Sequence, residues 1–174
     1  TIGIDIGGTS VRASVVDDHG AMLDTLRAAT PPTAEALEHC LERLVGELAS
    51  RWAIGAVGLA IAGFITPDRQ VVRFAPHLPW REAHVPADMT RRLGIPVFAE
   101  HDANAAAVAE YRFGAAARGR NSLVLAIGTG IGAGLILDGQ IYRGSFGVAL
   151  ELGHLTVVPD GRQCSCGKRG CWER

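Results

Sequence analysis

Three cysteines and one histidine near the end of the sequence have the residue types and spacing of metal ligands. They lie within residues 151–173, and they are His154, Cys164, Cys166 and Cys171. Thiolates and imidazole suit a borderline-soft ion, whereas calcium and magnesium prefer oxygen ligands. A Cys₃His set is one of the known structural zinc arrangements. The segment is therefore predicted to fold around one metal ion, with the carboxylates of Glu151 and Glu173 beside it.

Two glycine-rich turns could each hold a phosphate group. In the first, Asp5-Ile6-Gly7-Gly8-Thr9, backbone amides could approach an anion closely and Thr9 adds a hydroxyl group. Asp5 would repel a phosphate unless a cation lay between them, a combination that suits a magnesium nucleotide. The second, Gly128-Thr129-Gly130-Ile131-Gly132, is followed by a strand-like segment, which argues against a Rossmann turn. A plain β-hairpin is the alternative for each turn, but two such turns in similar settings favour a polyphosphate held from both sides.

A carboxylate is predicted at a point where a strand ends and a helix begins. This is Asp102, within the sequence Glu-His-Asp-Ala-Asn at residues 100–104. Helix N-termini favour carboxylates, so Asp102 could serve only as an N-cap. The functional alternative is a general base, because α/β proteins bind ligands beyond the C-terminal ends of their strands.

The elements that must position these residues alternate between strands and helices. Residues 2–6 and 11–16 are predicted to form a hairpin around the first turn, and residues 21–29 a third strand. Apolar residues recur at helical spacing over residues 33–51, whose first residue is a suitable N-cap. Residues 54–62 form a continuous apolar segment, typical of a buried strand. This order predicts an α/β unit.

The middle of the chain is predicted to contain a loop and then further α/β structure. Residues 63–80 are loop-like in composition, with several prolines. A helix at residues 87–93, a strand at 96–99 and a helix at 102–113 follow.

The small, polar residues 115–121 are the best candidate for a domain boundary, and we predict domains of residues 1–117 and 118–174. In the second domain, residues 123–127 and 133–137 repeat the strand–turn–strand pattern of the first hairpin. Asp138-Gly139 predicts a further tight hairpin. The repeated pattern suggests an internal duplication.

Composition restricts the function further. The chain has 174 residues, 48% of them hydrophobic, and a net charge of -1. This balance gives no electrostatic reason to expect nucleic acid or an anionic membrane as a partner. No apolar segment reaches membrane-spanning length, and the clustered cysteines predict a reducing compartment, by default the cytoplasm. Because both ends fall inside a strand-like segment or a motif, we expect the chain to be a piece of a longer protein.

Together the motifs resemble the ROK family of sugar kinases and sugar-responsive repressors, within the actin/hexokinase-like superfamily. They run through essentially the whole chain as DIGGT, GLAIAGF, APHLPW, EHDANAAAVAE, AIGTGIGAG, RGSFGVALELGH and CSCGKRGCWE. Among the branches of the family, the chain is most similar to ATP-dependent glucokinases. The resemblance implies an α/β, ribonuclease-H-like fold in two domains that bind sugar and nucleotide between them. The second domain is expected to be incomplete in this chain.

The resemblance also implies roles for individual residues. Asp102 matches the general base that takes the proton from the 6-hydroxyl of a hexose, with ATP as donor and Mg²⁺ near Asp5. The positions that match the phosphate turns are Gly7, Gly8, Thr9, Gly128, Thr129, Gly130 and Gly132. Those that match the sugar site are Gly63, His101, Asp102, Glu151, His154 and Glu173. The zinc ion is expected to be structural, with His154 binding it through one ring nitrogen and the sugar through the other. Relatives suggest a dimer or tetramer.

Three residues depart from the family pattern. His101 and His77 stand where asparagine is common, and Leu150 replaces a glycine. A histidine at the position of His101 also occurs in repressors of the family. The alternative function is therefore the sugar-sensing domain of a ROK-type transcriptional repressor. The two intact glycine turns favour the kinase. Because the chain stops before the segment that would clamp adenosine, we expect residues 1–174 alone not to turn over substrate.

Overall fold

The computed structural model describes residues 1–117, 119–128 and 130–174, so that Arg118 and Thr129 lie outside the described residues. By their internal contacts these residues form two compact units, Thr1–Asp102 and Ala103–Arg174, and each is described by itself. This division falls at the start of a helix. This division by contacts does not test the domain boundary predicted after residue 117, which stays a prediction.

The first unit is built on a five-stranded mixed sheet. Its elements are β1 (Ile2–Ile6), β2 (Ser10–Val16), β3 (Met22–Ala29), α1 (Ala34–Ala49), β4 (Val57–Ile61), β5 (Phe64–Ile65), β6 (Val72–Phe74), β7 (Arg81–Ala83), α2 (Val85–Leu93) and β8 (Val97–His101). The strand order is β3-β2-β1-β4-β8. The three strands β1, β4 and β8 run parallel, while β2 and β3 are antiparallel to their neighbours. The predicted α/β order is confirmed here.

Hydrophobic alternation explains how this sheet buries one face. In β1, Ile2, Ile4 and Ile6 are buried while the residues between them are exposed. They belong to the core that also contains the buried side chains of α1, namely Leu37, Leu41, Leu44, Val45 and Leu48. The predicted N-cap of α1 is confirmed, since the Thr33 side chain accepts a hydrogen bond from the backbone N–H of Ala36.

The composition of residues 63–80 predicts a loop, but the structure has two short strands there. These residues contribute β5 and β6 to a small antiparallel sheet with the order β5-β6-β7. The rings of Phe64 and Phe74 stack with their centroids 6.2 Å apart, and the Arg81 guanidinium lies 4.4 Å from the Phe74 ring centroid. Cross-strand aromatic and cation–π contacts of this kind stabilise strands that are too short to show a sequence pattern.

The second unit contains one long helix and a three-stranded sheet. Its elements are α3 (Asp102–Phe113), which begins on the last residue of the first unit, β9 (Ser122–Ile127), β10 (Ile131–Leu137), β11 (Gln140–Tyr142) and a short 3₁₀ turn (Leu152–His154). The sheet is antiparallel with β10 in the centre. Asp138 and Gly139 join β10 to β11 with φ angles of 50° and 77°, so the predicted tight hairpin is confirmed.

The helix α3 packs closely against β10. A Cβ atom on Gly134 would lie 2.5 Å from the Cβ of Ala107, and one on Gly132 would lie 3.1 Å from the Cβ of Ala103. Glycine at these positions lets the helix approach the strand. Strand β9, at the edge of the sheet, does not bury its large apolar side chains in this way. Leu123, Leu125 and Ile127 are all exposed, Ile127 to 76%.

None of the described helices is both long enough and apolar enough to cross a membrane.

Candidate functional site

Three predicted site segments begin at one edge of the five-stranded sheet. Ile6, Ile61 and His101 are the last residues of the parallel strands β1, β4 and β8, and they are neighbours in register. The chain continues from them into the first glycine turn (residues 7–9), Gly63 and Asp102 respectively. The ends of β1 and β8 are two strand spacings apart, a distance of roughly 10 Å. The carboxyl edge of a parallel sheet is where α/β proteins bind ligands.

The first glycine turn is hydrogen-bonded to the strand that follows it and to Thr30, the residue after β3. The N–H of Gly7 donates to the carbonyl of Ser10 at 3.1 Å, and the hydroxyl of Thr30 donates to the carbonyl of Gly7 at 2.6 Å. Gly8 faces the loop before β7, because a Cβ at this position would lie only 2.6 Å from the Cβ of His77. Close packing against His77 is therefore by itself a sufficient reason for glycine at position 8.

Asp5 lies on the exposed face of β1 and pairs across the ladder with Arg12 of β2. The two side chains form an ion pair at 3.5 Å and are 58% and 46% exposed, respectively. A single carboxylate suits Mg²⁺, which usually takes one or two protein carboxylates and completes its shell with water and phosphate oxygens. Arg12 is a cation that sequence reasoning missed at this position.

Asp102 is the first residue of α3, as predicted, and His101 is the last residue of β8. His101 Nε2 lies 3.3 Å from Asp102 Oδ1, and the side chains are 20% and 43% exposed, respectively. The carboxylate is therefore accessible to a ligand and has an imidazole beside it. Carboxylates are favoured at helix N-termini, so the local position also explains Asp102 without catalysis.

Gly63 follows β4 and packs against β6. A Cβ here would lie 2.7 Å from the Cβ of Ala75 and 2.9 Å from the carbonyl oxygen of Phe74. A larger residue would push β6 away from this sheet edge, which gives Gly63 a structural reason to be glycine.

The second glycine turn (residues 128–132) begins after the end of β9, and its last two residues belong to β10. The N–H of Gly128 donates to the carbonyl of Gly130 at 2.9 Å. Thr129 is among the predicted phosphate-binding residues but lies outside the described residues. Gly132 belongs to β10 and packs against α3, so it has a structural role whatever it does for phosphate. The still closer packing of Gly134 against α3 was missed at the sequence level, where a strand glycine offered the only signal.

His154, Cys164, Cys166 and Cys171, here called the metal cluster, converge as the sequence predicts. Their ligand atoms all lie within 4.8 Å of one another. Cys166 Sγ lies 3.6 Å from Cys171 Sγ, and Cys164 Sγ lies 3.6 Å from His154 Nδ1. Four tetrahedral ligands about 2.3 Å from a zinc ion would lie roughly 3.8 Å apart. Both the donor atoms and their spacing therefore fit zinc.

The thiols of Cys164 and Cys171 differ in acidity. The backbone N–H of Cys166 is the main cause that lowers the pKa of Cys164 to about 7. Burial raises the pKa of Cys171 to about 12, and the neighbouring thiols add to this rise. The thiolate is the form that binds metal, so Cys164 offers it more readily than Cys171 does.

The remaining predicted sugar ligands are near the metal cluster along the chain. Glu151 precedes the 3₁₀ turn, and its carbonyl accepts a hydrogen bond from the N–H of His154 at 3.0 Å. Leu150, just before it, has a φ of 68°, a left-handed conformation that favours glycine. Glu173 contacts the cluster directly, with Oε1 3.5 Å from His154 Nδ1 and 3.4 Å from Cys164 Sγ. The sequence predicts Glu173 beside the cluster but not which of its atoms the carboxylate contacts.

The model of the ROK family matches residues 1–174 of this chain, and the chain belongs to that family. It is 44% identical over 174 residues to a glucokinase of Streptomyces coelicolor, covering 100% of this chain and 55% of the relative. It is 33% identical over 179 residues to a xylose repressor of Bacillus subtilis, covering 99% of this chain and 46% of the relative.

Among solved structures, the chain resembles a ROK family glucokinase from Streptomyces griseus in complex with glucose and AMPPNP. The TM-score is 0.91 at 46% identity, over 99% of this chain and 55% of that one. The predicted α/β fold of the actin/hexokinase-like class is thereby confirmed. The chain spans about half the length of each of these relatives.

Proposed function

We propose that the complete protein containing this chain transfers the γ-phosphoryl group of ATP to the 6-hydroxyl of a hexose, with glucose as the first sugar to test. The observation that carries this proposal is the shared sheet edge, from which the first glycine turn, Gly63 and Asp102 all begin. Further support comes from the similar structure in complex with glucose and AMPPNP.

In this proposal Asp102 is the general base. It would accept the proton of the 6-hydroxyl as that oxygen attacks the γ-phosphorus, while the phosphoryl group leaves ADP in line. Its exposure of 43% leaves the carboxylate accessible to a sugar, and it lies at the first residue of α3. His101, beside it, would bind the sugar and hold the Asp102 side chain in place.

The two glycine turns are proposed to bind the phosphates through backbone N–H groups, with the Thr9 hydroxyl as a further donor. Asp5 would hold Mg²⁺, which neutralises phosphate charge when bound. Gly63, Glu151, His154 and Glu173 would contact the sugar. The metal cluster would hold a structural zinc ion, since all four of its positions are filled by protein atoms and none is left for a reacting water.

The test is the substitution Asp102→Asn in the complete protein. Asparagine keeps the shape and the capping ability of the side chain but cannot take the proton, so kcat for glucose phosphorylation should fall by about 100-fold or more. The matched control is Asp88→Asn, because Asp88 is the acidic residue in the first turn of α2. If D102N keeps a near-native kcat, Asp102 is not the base.

A second candidate function is the sugar-sensing domain of a transcriptional repressor. The similarity to a xylose repressor over 99% of this chain supports it. The two functions differ in a direct assay of the complete protein. A repressor would bind operator DNA in a sugar-dependent way and release no ADP when given sugar, ATP and Mg²⁺, whereas the kinase would release ADP.

A further inference from the structure

Glu173 lies between the metal cluster and the second glycine turn. Its backbone N–H donates to the carbonyl of Gly153 at 3.1 Å, which ties the end of the cysteine-rich segment to the 3₁₀ turn. Its side chain is only 16% exposed, although it carries a charge. A charged group at this degree of burial needs specific neighbours.

One carboxylate oxygen faces the metal cluster. Oε1 lies 3.4 Å from Cys164 Sγ and 3.5 Å from His154 Nδ1, the two cluster atoms that are themselves 3.6 Å apart. A metal ion bound by His154 and Cys171 would fix the chain at these residues, one residue from Gly153 and two residues from Glu173. Because the Glu173 N–H donates to the Gly153 carbonyl, the metal would fix the backbone that places Oε1 beside the cluster.

The other carboxylate oxygen faces the second glycine turn. A Cβ at Gly130 would lie 2.8 Å from Oε2, and a Cβ at Gly153 would lie 3.2 Å from it. Two glycines therefore leave the space that this oxygen occupies. Movement of the carboxylate would change what Gly130 packs against.

We propose that Glu173 is a positioning residue that couples metal binding at the cluster to the position of Gly130 in the second glycine turn. The metal holds His154 and Cys171, these fix the backbone of Glu173, and Oε2 of its side chain lies beside Gly130. Only the expected effect on nucleotide affinity rests on the proposed function, in which the turn binds nucleotide phosphates. Glu173 could also contact the sugar, because the coupling involves other neighbours of the same carboxylate.

The experiment measures hydrogen exchange and nucleotide affinity in the complete protein, with zinc bound and after its removal by a chelator. In the native protein, zinc removal should speed amide exchange at residues 128–132 and weaken binding of Mg²⁺–AMPPNP by about tenfold, a typical coupling between sites. In Glu173→Ala the exchange rate and Kd should change by less than about twofold on zinc removal, since the coupling would be lost.

Two further variants test whether the effect is specific. Glu173→Gln keeps the shape of the side chain and should retain part of the coupling, which a loss of folding would not allow. Asp160→Asn removes an exposed carboxylate from the same segment and should behave as the native protein does. Exchange across residues 154–173 should rise on zinc removal in every variant, and this verifies that the metal was bound and then lost.

Two outcomes would overturn the proposal. One is a metal effect on residues 128–132 that is as large in E173A as in the native protein. The other is a rise in exchange spread evenly over β9, β10 and β11, because the metal would then support the whole unit rather than the turn. A failure of the proposed function looks different: exchange at the turn would still respond to metal through Glu173, but Mg²⁺–AMPPNP would not bind.

Discussion

At the scale of single residues, Leu150 is the least expected side chain near the predicted sugar ligands. The family resemblance expects glycine there, and the φ of 68° shows why glycine would suit the position. A non-glycine residue in the left-handed region costs roughly 1–2 kcal/mol. The sequence revealed the unusual leucine, but only the backbone conformation shows that it is strained.

Replacing this leucine by glycine should stabilise the protein. In Leu150→Gly the strain is removed while the unfolded chain gains freedom, so the net gain in the free energy of unfolding should be about 0.5–1 kcal/mol. Urea unfolding of the complete protein measures it. Leu152→Gly is the control, because Leu152 belongs to the 3₁₀ turn and its φ is not positive, so this change should destabilise. Equal effects of the two changes would contradict the explanation.

At the scale of elements, two glycines illustrate opposite structural demands. Gly46 is an exposed residue within α1, and a Cβ there would meet nothing within 4 Å. Gly134 is a strand residue at which a Cβ would lie 2.5 Å from Ala107 Cβ and 2.7 Å from the carbonyl oxygen of Ala103. The same substitution should therefore have opposite effects at the two positions.

Gly46→Ala should raise the free energy of unfolding by about 1 kcal/mol, since alanine is the better helix former. Gly134→Ala should lower it by about 1–3 kcal/mol, because the added methyl group forces α3 away from β10. Both values come from urea unfolding followed by circular dichroism. If G134A is as stable as the native protein, the close packing of α3 on β10 is wrong.

The elements that were predicted correctly from the sequence carry strong local signals. Helix α1 combines helical spacing with a capping threonine, and the β10–β11 hairpin has an Asp-Gly turn. The small sheet β5-β6-β7 could not be predicted in this way. Its strands have two or three residues each, and contacts between residues distant in sequence, such as Phe64 with Phe74, hold them together.

The same distinction applies to the candidate site. Three of the four residues of the metal cluster lie within eight residues of one another, so their spacing alone predicted that they would converge. The pairing of Glu173 with His154 and Gly130, and of Asp5 with Arg12, depends on how separate segments meet in space. No pattern along the chain records such a meeting.

At the scale of the whole molecule, the metal cluster takes the place of regular secondary structure. Apart from the 3₁₀ turn, the described part of residues 143–174 has only isolated bridges, Thr156 with Cys171 and Gln163 with Arg169. A segment with so little regular secondary structure gains from another source of stability, which a zinc site would supply.

Cys171→Ser should therefore reduce zinc from one ion per chain to a small fraction and leave residues 154–173 sensitive to protease. The lost ligand is a buried thiol, which serine replaces poorly. Elemental analysis of the purified complete protein gives the metal content. The control is Cys40→Ser, which alters the cysteine of α1 and should keep full zinc. Full zinc in C171S would remove Cys171 from the ligand set.

The exposed strand β9 has a practical consequence for anyone who handles residues 1–174 as a separate polypeptide. In the described sheet it has a partner on one side only, and Leu123, Leu125 and Ile127 are exposed along it. An unprotected apolar edge is a template for aggregation. Leu125→Lys should lower light scattering by the purified polypeptide, whereas Phe113→Lys, which removes an exposed apolar side chain from α3 instead, should not. Solubility during expression would then depend on this one edge.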